Sequence, residues 1–525
     1  MIKLAAETVT TMQVEVHLNF KHCPLGFILM TVNISSCVCT NTLKQVGVIC
    51  DISKNAIFRP GEVWIGYVND SVEGSGVIAH PHCPFDFCKA NRNNVSLSDV
   101  DQQCNYNRSG MLCGMCKNGL SLALGTSRCI KCSDMFLLLL TVFALAGVML
   151  VFLLFTFNLT VSEGTVNGLI FYANILWVNN TIFFPPATSA NVLTVFLAWL
   201  NLDLGIPVCL YKGMDAYTRT WLQFAFPVYI WALVGLIVLL SRRFTWITKV
   251  IGTNAVKVLA TLFLLSFTKL QRTVIAILSF TYIIFPYGSK KYVWLYDGNV
   301  DYGEGKHIPL LIAAVAILLM LSIPYVLALL FIKWLKSFSS FQVCSWVSRL
   351  TPLLDAYAGP YKFKYPFWTG FLLLVRIALF LIFAFNYVDE PSLNLMAVVI
   401  ASVLVLMLAW SLGGVYRKQP LDILESSFFL NLGASAAATL YIKFQQGNQA
   451  AVFYISTGIA FSEFVGIVIY HLGRRIHAWE KLQHTCFWKC LKTQLDNRHD
   501  QESDDDDFIT YLDEGQNMNE NNNNN

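Results

Sequence analysis

From Met135 to Phe157 the sequence is apolar at almost every position. A stretch of that length forms a helix that crosses the roughly 30 Å hydrocarbon core of a bilayer. It follows directly on two short cysteine steps, Cys113-x-x-Cys116 and Cys129-x-x-Cys132. Eight further apolar stretches come after it: Thr165–Phe184, Thr220–Leu240, Thr253–Pro286, Ile308–Ile332, Tyr365–Phe385, Ser392–Leu412, Leu421–Ile442 and Ala450–Tyr470. Charged residues make up only 13% of the chain, against about 25% in ordinary globular proteins. The expected fold is an all-α polytopic membrane bundle of about nine transmembrane helices, with a small disulfide-rich extracellular N-terminal domain of strands and loops. The expected divisions are 1–134, the cysteine-rich extracellular domain; 135–475, the multi-pass transmembrane domain; and 476–525, a cytoplasmic tail.

The first division holds eleven of the fifteen cysteines: Cys23, Cys37, Cys39, Cys50, Cys83, Cys88, Cys104, Cys113, Cys116, Cys129 and Cys132. It also holds four glycosylation sequons, at Asn33, Asn69, Asn94 and Asn107. Disulfides persist in oxidising compartments and sequons are used in the secretory lumen, so both signals place the segment outside. Eleven is odd, and Cys209 is a candidate partner for the cysteine left over. The four cysteines at 113–132 also have nearly the spacing of a zinc knuckle. The adjacent sequon and the cysteines upstream favour disulfides, so no metal or other cofactor is expected. The motifs CPLGF (23–27) and CPFDFC (83–88) read as turns pinned by disulfides, with ligand contact as the other possibility. Residues 1–20 contain no apolar core of the usual length, about 7–15 residues, for a signal peptide. Either the first helix directs translocation or the chain is the end of a longer protein, and the second is favoured.

Within the helices, Asn167, Asn174 and Thr181 share one face and serve interhelical hydrogen bonding or line a pore. Asn191–Cys209 reads as a re-entrant or interfacial piece. Thr253–Pro286 reads as one long helix whose first half lies at or beyond the inner interface, with Lys257, Lys269 and Arg272 snorkelling there. Tyr287–His307 reads as a polar, aromatic loop. The intramembrane charges are Arg376, Glu425 and Glu463. They suit a buried ion pair that sets helix register, an ion or proton path, or headgroup contact. Helix depth makes Glu463 the expected partner of Arg376.

Basic residues follow the third, fifth, seventh and ninth apolar stretches, and the positive-inside rule makes those segments cytoplasmic. Alternation then places residues 1–134 outside and the C-terminus in the cytoplasm, which suits the plasma membrane. The tail ends in an acidic run and an asparagine run expected to be disordered, after a weak palmitoylation candidate at Cys486 and Cys490. The net charge of +4 sits beside apolar runs, so no nucleic-acid partner is expected. The sequence carries no P-loop, HExxH, GxSxG or TVGYG motif, so neither an enzyme nor a potassium-type filter is expected.

CPLGF, RPGEVWIG, CPFDFC, SGMLCGMCKNGLSLALGTSRCIKC, TVNGLIFYANI, WLNLDLGIPVCLY, DAYTRTWLQF, PYGSKKYVWLYDGNV, LDAYAGPYK and DILESSFFLNLG cover much of 20–445. On these stretches the chain resembles a large family of uncharacterised multi-pass proteins, abundant in sponges and other early-branching animals. Longer members carry a β-helix or adhesin-like region ahead of CPLGF. The membrane part is more distantly similar to transient-receptor-potential-like proteins. The expected function is that of a receptor or adhesion protein in the lipid bilayer with an unknown extracellular partner. The alternative is a transient-receptor-potential-like cation channel, which would be an oligomer.

Overall fold

The computed structural model describes residues 23–473 except 24–25, 31–35, 52–55, 60–62, 71–73, 90–94, 96, 98, 126, 133–135, 158, 180–182, 184–191, 204–207, 246–254, 286–288, 341–344, 387–390, 446–453 and 456. Asn33, Asn94, Thr181, Cys486, Cys490 and the acidic run lie outside the described residues, and for Asn69 only the backbone is described. The chain divides into two units, Met1–Phe461 and Ser462–Asn525.

The cysteine-rich segment is built of short antiparallel pieces. Strands β1 (Phe27–Met30) and β2 (Ser36–Cys39) pair, and so do β3 (Ile49–Asp51) and β4 (Ala56–Phe58). A short helix α1 (Asn41–Gln45) lies between the two pairs. β5 (Trp64–Asp70) and β6 (Gly74–His80) form a longer hairpin. Two-residue ladders follow, β7 (Arg108–Ser109) with β8 (Met115–Cys116) and β9 (Ser121–Leu122) with β10 (Cys129–Ile130). Pieces this short bury little apolar area, so covalent staples carry much of their stability. Six disulfides supply them: Cys23–Cys37, Cys39–Cys50, Cys83–Cys88, Cys104–Cys113, Cys116–Cys129 and Cys132–Cys209.

Among the described residues, six helices are long and apolar enough to cross a membrane. They are α2 (Phe136–Phe157), α5 (Ala216–Arg243), α6 (Ala255–Leu278), α7 (His307–Leu330), α11 (Pro391–Ser411) and α12 (Gln419–Phe444). Three shorter apolar helices are α3 (Thr165–Val178), α10 (Trp368–Asn386) and α13 (Thr457–Gly473). Further described helices are α4 (Val192–Leu200), α8 (Ile332–Ser340) and α9 (Ser345–Ala358). Local chemistry explains several ends. Asp215 caps α5 by accepting from the Thr218 N–H at 2.8 Å, and Arg242 and Arg243 close its last turn, where cations suit the helix dipole. α7 carries a π-turn at Leu318–Ser322, just before Pro324. Proline cannot donate to the ladder, and the wider turn absorbs the mismatch.

α6 is the most buried of the six long helices. That position explains why it carries Lys269, Gln271 and Arg272: a helix wrapped by protein need not be apolar all round. The stretch Thr253–Pro286 differs from expectation. The helix stops at Leu278, and Phe280–Ile284 is a strand, β11. The apolar run FTYII continues the hydropathy of the helix, so composition alone hides the change. Tyr287–His307 is likewise more than a loop, since it holds β12 (Lys290–Trp294) and β13 (Asp297–Asp301).

These strands join the N-terminal hairpin in one five-stranded sheet, in the order β13-β12-β11-β6-β5. Ile284 pairs with Ala79, and His80 Nε2 lies 2.8 Å from Thr281 Oγ1 across the same seam. The connection from α6 to α7 also closes the end of α6. A helix leaves its last four carbonyls without intrahelical partners. Here Trp294 Nε1 donates to Ala276 O at 2.9 Å, His307 Nε2 to Ile277 O at 3.1 Å and Tyr302 Oη to Leu278 O at 3.0 Å.

Candidate functional site

The best-built polar site lies where α6 meets the turn after α4, beside the cysteine-rich segment. Residues 208–214 are zipped to 121–124: Leu124 and Val208 exchange backbone hydrogen bonds of 2.7 and 3.3 Å, and Leu122 N–H donates to Met214 O at 2.8 Å. The Cys132–Cys209 disulfide fastens the same segment covalently. Upstream, Asn201 Nδ2 donates to Leu197 O at 2.7 Å and to Ala173 O of α3 at 3.2 Å. Leu202 follows with φ +54°. A branched residue in that region is strained, at a cost of order 1–3 kcal/mol, and persists only where its surroundings impose it.

The strained turn aims Asp203 at α6. Its Oδ1 pairs with the Lys269 ammonium, and its Oδ2 pairs with the Arg272 guanidinium. Oδ2 also accepts from Trp177 Nε1 at 2.7 Å. Burial by itself would raise the Asp203 carboxyl, but the two cations outweigh it and hold the group well below the usual carboxylate range. Arg219, in the first turns of α5, stands in the electrostatic field of Asp203 and Arg272. It forms no ion pair among the described residues. The cluster therefore holds three cations and one carboxylate.

A cavity of about 330 Å³ adjoins this cluster. Asp203 and Lys269 line it on the polar side. Phe143 of α2, Phe226 and Tyr229 of α5, and Leu124 of the cysteine-rich segment are among its apolar lining. Tyr229 Oη fixes the wall by donating to Ala144 O of α2 at 2.7 Å.

Lys269 and Arg272, expected to snorkel, instead pair with a carboxylate inside the fold. Both lie toward the end of α6 that runs into the shared sheet, and both pair with the single carboxylate of Asp203. They are drawn to a carboxylate brought by a distant turn, which helix depth does not reveal.

The remaining charges stand elsewhere. Arg376 is buried in α10, where Nη1 donates to Thr268 Oγ1 at 3.0 Å and the guanidinium lies 5.4 Å from the Phe171 ring. Among the described residues of the first unit no carboxylate pairs with it. Glu463, expected as its partner, belongs to the second unit. Glu425 accepts from Trp368 Nε1 at 2.9 Å in the contact between α10 and α12. Asn167 and Asn174 are fully buried, and Asn167 Nδ2 donates to Tyr361 Oη at 2.9 Å.

All twelve candidate cysteines are disulfide-bonded, and the four at 113–132 divide among three bridges. Cys83, Cys88 and Cys113 lie close enough to hold a metal ion, but each sulfur is already in a disulfide. Asn107 is exposed in the turn before β7. Beside it Arg108 is buried, donating to Ser127 O at 2.7 and 2.9 Å and to Cys113 O and Gly114 O at 3.1 Å. Its position within a sequon drew attention to the asparagine, and nothing local marked the arginine as the centre of a loop. In the sequence Asp203 is marked only as a lone carboxylate between two apolar runs.

No family model, curated protein or solved structure matches the chain. Its own features define its class: helices long and apolar enough to span a membrane, joined to a disulfide-rich region with strands.

Proposed function

We propose that the chain is a multi-pass plasma-membrane protein of receptor or adhesion type, crossing the bilayer about nine times. Its disulfide-bonded segment is extracellular and glycosylated, and its C-terminus is cytoplasmic. The observation that carries this reading is the shared sheet. β5 and β6 come from the cysteine-rich segment, while β11–β13 come from the connection between two long helices. A partner that loads the outer segment therefore loads α6, the most buried long helix, through its capped end. Exposed apolar side chains such as Leu145 (68%), Met320 (76%) and Trp410 (68%) support residence in lipid.

Expression in animal cells tests it. Glycosidase should increase gel mobility, Asn107→Gln should reduce that shift, and surface biotinylation should label the chain. Absence of any shift together with free thiols in the cysteine-rich segment would sink the topology. A whole-cell current that rises with expression would favour the transient-receptor-potential-like channel instead.

A further inference from the structure

The cavity between α2 and α5 joins an apolar lining to a polar side formed by Asp203 and Lys269, and Arg272, outside the lining, shares the same carboxylate. Lys269 has three donor hydrogens, and Asp203 is its one hydrogen-bond partner among the described residues. The ammonium is buried all the same. A buried donor left without an acceptor is costly, typically about 1–3 kcal/mol and more for a charged group. Arg219 adds a second positive charge close by, and the single carboxylate is already shared by Lys269 and Arg272. At about 330 Å³ the space falls within the range of small-molecule pockets, about 300–1,000 Å³. It is also open, since Leu140 on α2 is 51% exposed at its edge.

We propose that this cavity binds a single-chain amphiphile with an anionic head. The head accepts from Lys269 on the polar side, and the tail lies between α2 and α5 against Phe143, Phe226 and Tyr229. Each half of that ligand answers one half of the site. A neutral tail alone would leave the ammonium unsatisfied. A small anion alone would leave the apolar walls uncovered. The inference rests on the cavity and holds whether the protein is a receptor or a channel.

The test uses the full chain purified in detergent and a photoreactive palmitate carrying a diazirine in its tail. Labelling is expected on peptides containing residues 140–144 and 222–229. Unlabelled palmitate should compete at least about tenfold better than hexadecanol, because the alcohol lacks the charge-assisted hydrogen bond. Acetate should not compete. Lysophosphatidate as a further competitor identifies the head: better competition than palmitate assigns a phosphate, worse assigns a carboxylate. Ala225→Phe, which fills the wall without touching the charges, should abolish labelling while gel-filtration and thermal-unfolding profiles stay as in the wild type. Lys269→Met should weaken competition by palmitate toward that of hexadecanol. Labelling confined to other helices, or equal competition by hexadecanol and palmitate, would overturn the proposal.

Discussion

Cys132 and Cys209 are joined by a disulfide across 77 residues of sequence. The bond ties the last cysteine before α2 to the segment between α4 and α5. It therefore fixes the cysteine-rich segment to the turn that presents Asp203.

Removing that bond should cost more than removing any of the short ones. In the chain-entropy model a loop of this length corresponds to about 4.5 kcal/mol. The double variant Cys132→Ala with Cys209→Ala should show a lower thermal unfolding midpoint than the wild type. Alkylation of Cys209 in the unreduced wild-type protein would show the pairing to be wrong.

Asp203→Asn should be severely destabilising, because it leaves Lys269 and Arg272 buried without their counter-charge. Breaking one side of a buried pair typically costs about 3–5 kcal/mol. Lys269→Met should be milder, since Asp203 keeps Arg272 and Trp177. The pH dependence has a definite sign. The folded carboxyl titrates below its unfolded value, so its contribution is fully present above about pH 4 and is lost as pH falls further. Thermal unfolding at several pH values checks both. An Asp203→Asn variant as stable as the wild type would refute the cluster.

The seam between the cysteine-rich segment and the connection after α6 can be trapped. Ala79 and Ile284 are directly opposite in antiparallel strands, where Cβ atoms lie about 4.5–5.5 Å apart. Ala79→Cys with Ile284→Cys should form an oxidant-dependent cross-link that survives proteolytic cleavage between the two strands. Two separate fragments on a non-reducing gel would exclude the shared sheet.

Gly370 on α10 should tolerate no side chain. An added Cβ would lie 2.6 Å from the Leu330 backbone nitrogen and 2.7 Å from the Leu329 carbonyl carbon of α7. Backbone atoms cannot step aside as a flexible side chain can, so Gly370→Ala should cost about 1–3 kcal/mol or more. Gly235→Ala on α5 is the control. Nothing lies within 4 Å of its Cβ position, and the change should be neutral or stabilise by about 0.5–1 kcal/mol. The thermal unfolding midpoint should fall for Gly370→Ala and not for Gly235→Ala. A Gly370→Ala protein that unfolds with the control would mean that α7 and α10 are not in close contact.

What the sequence determined by itself was whatever neighbouring residues add up to. Apolar stretches marked every long helix, because membrane length and hydropathy are local sums. Cysteine density marked the stapled region. What only tertiary structure decided was the meeting of residues far apart in the chain. Cysteine spacing leaves connectivity open, so the bridge from Cys132 to Cys209 needed the fold. FTYII reads as more helix until β6 lies beside it. Lys269 and Arg272 read as interfacial until Asp203, 66 and 69 residues away, pairs with both. Gly370 reads as an ordinary small residue until the backbone of α7 lies against it. Hydropathy ranks a side chain by its own transfer energy, whereas its place is set by the partner that satisfies it, and that partner is chosen by packing.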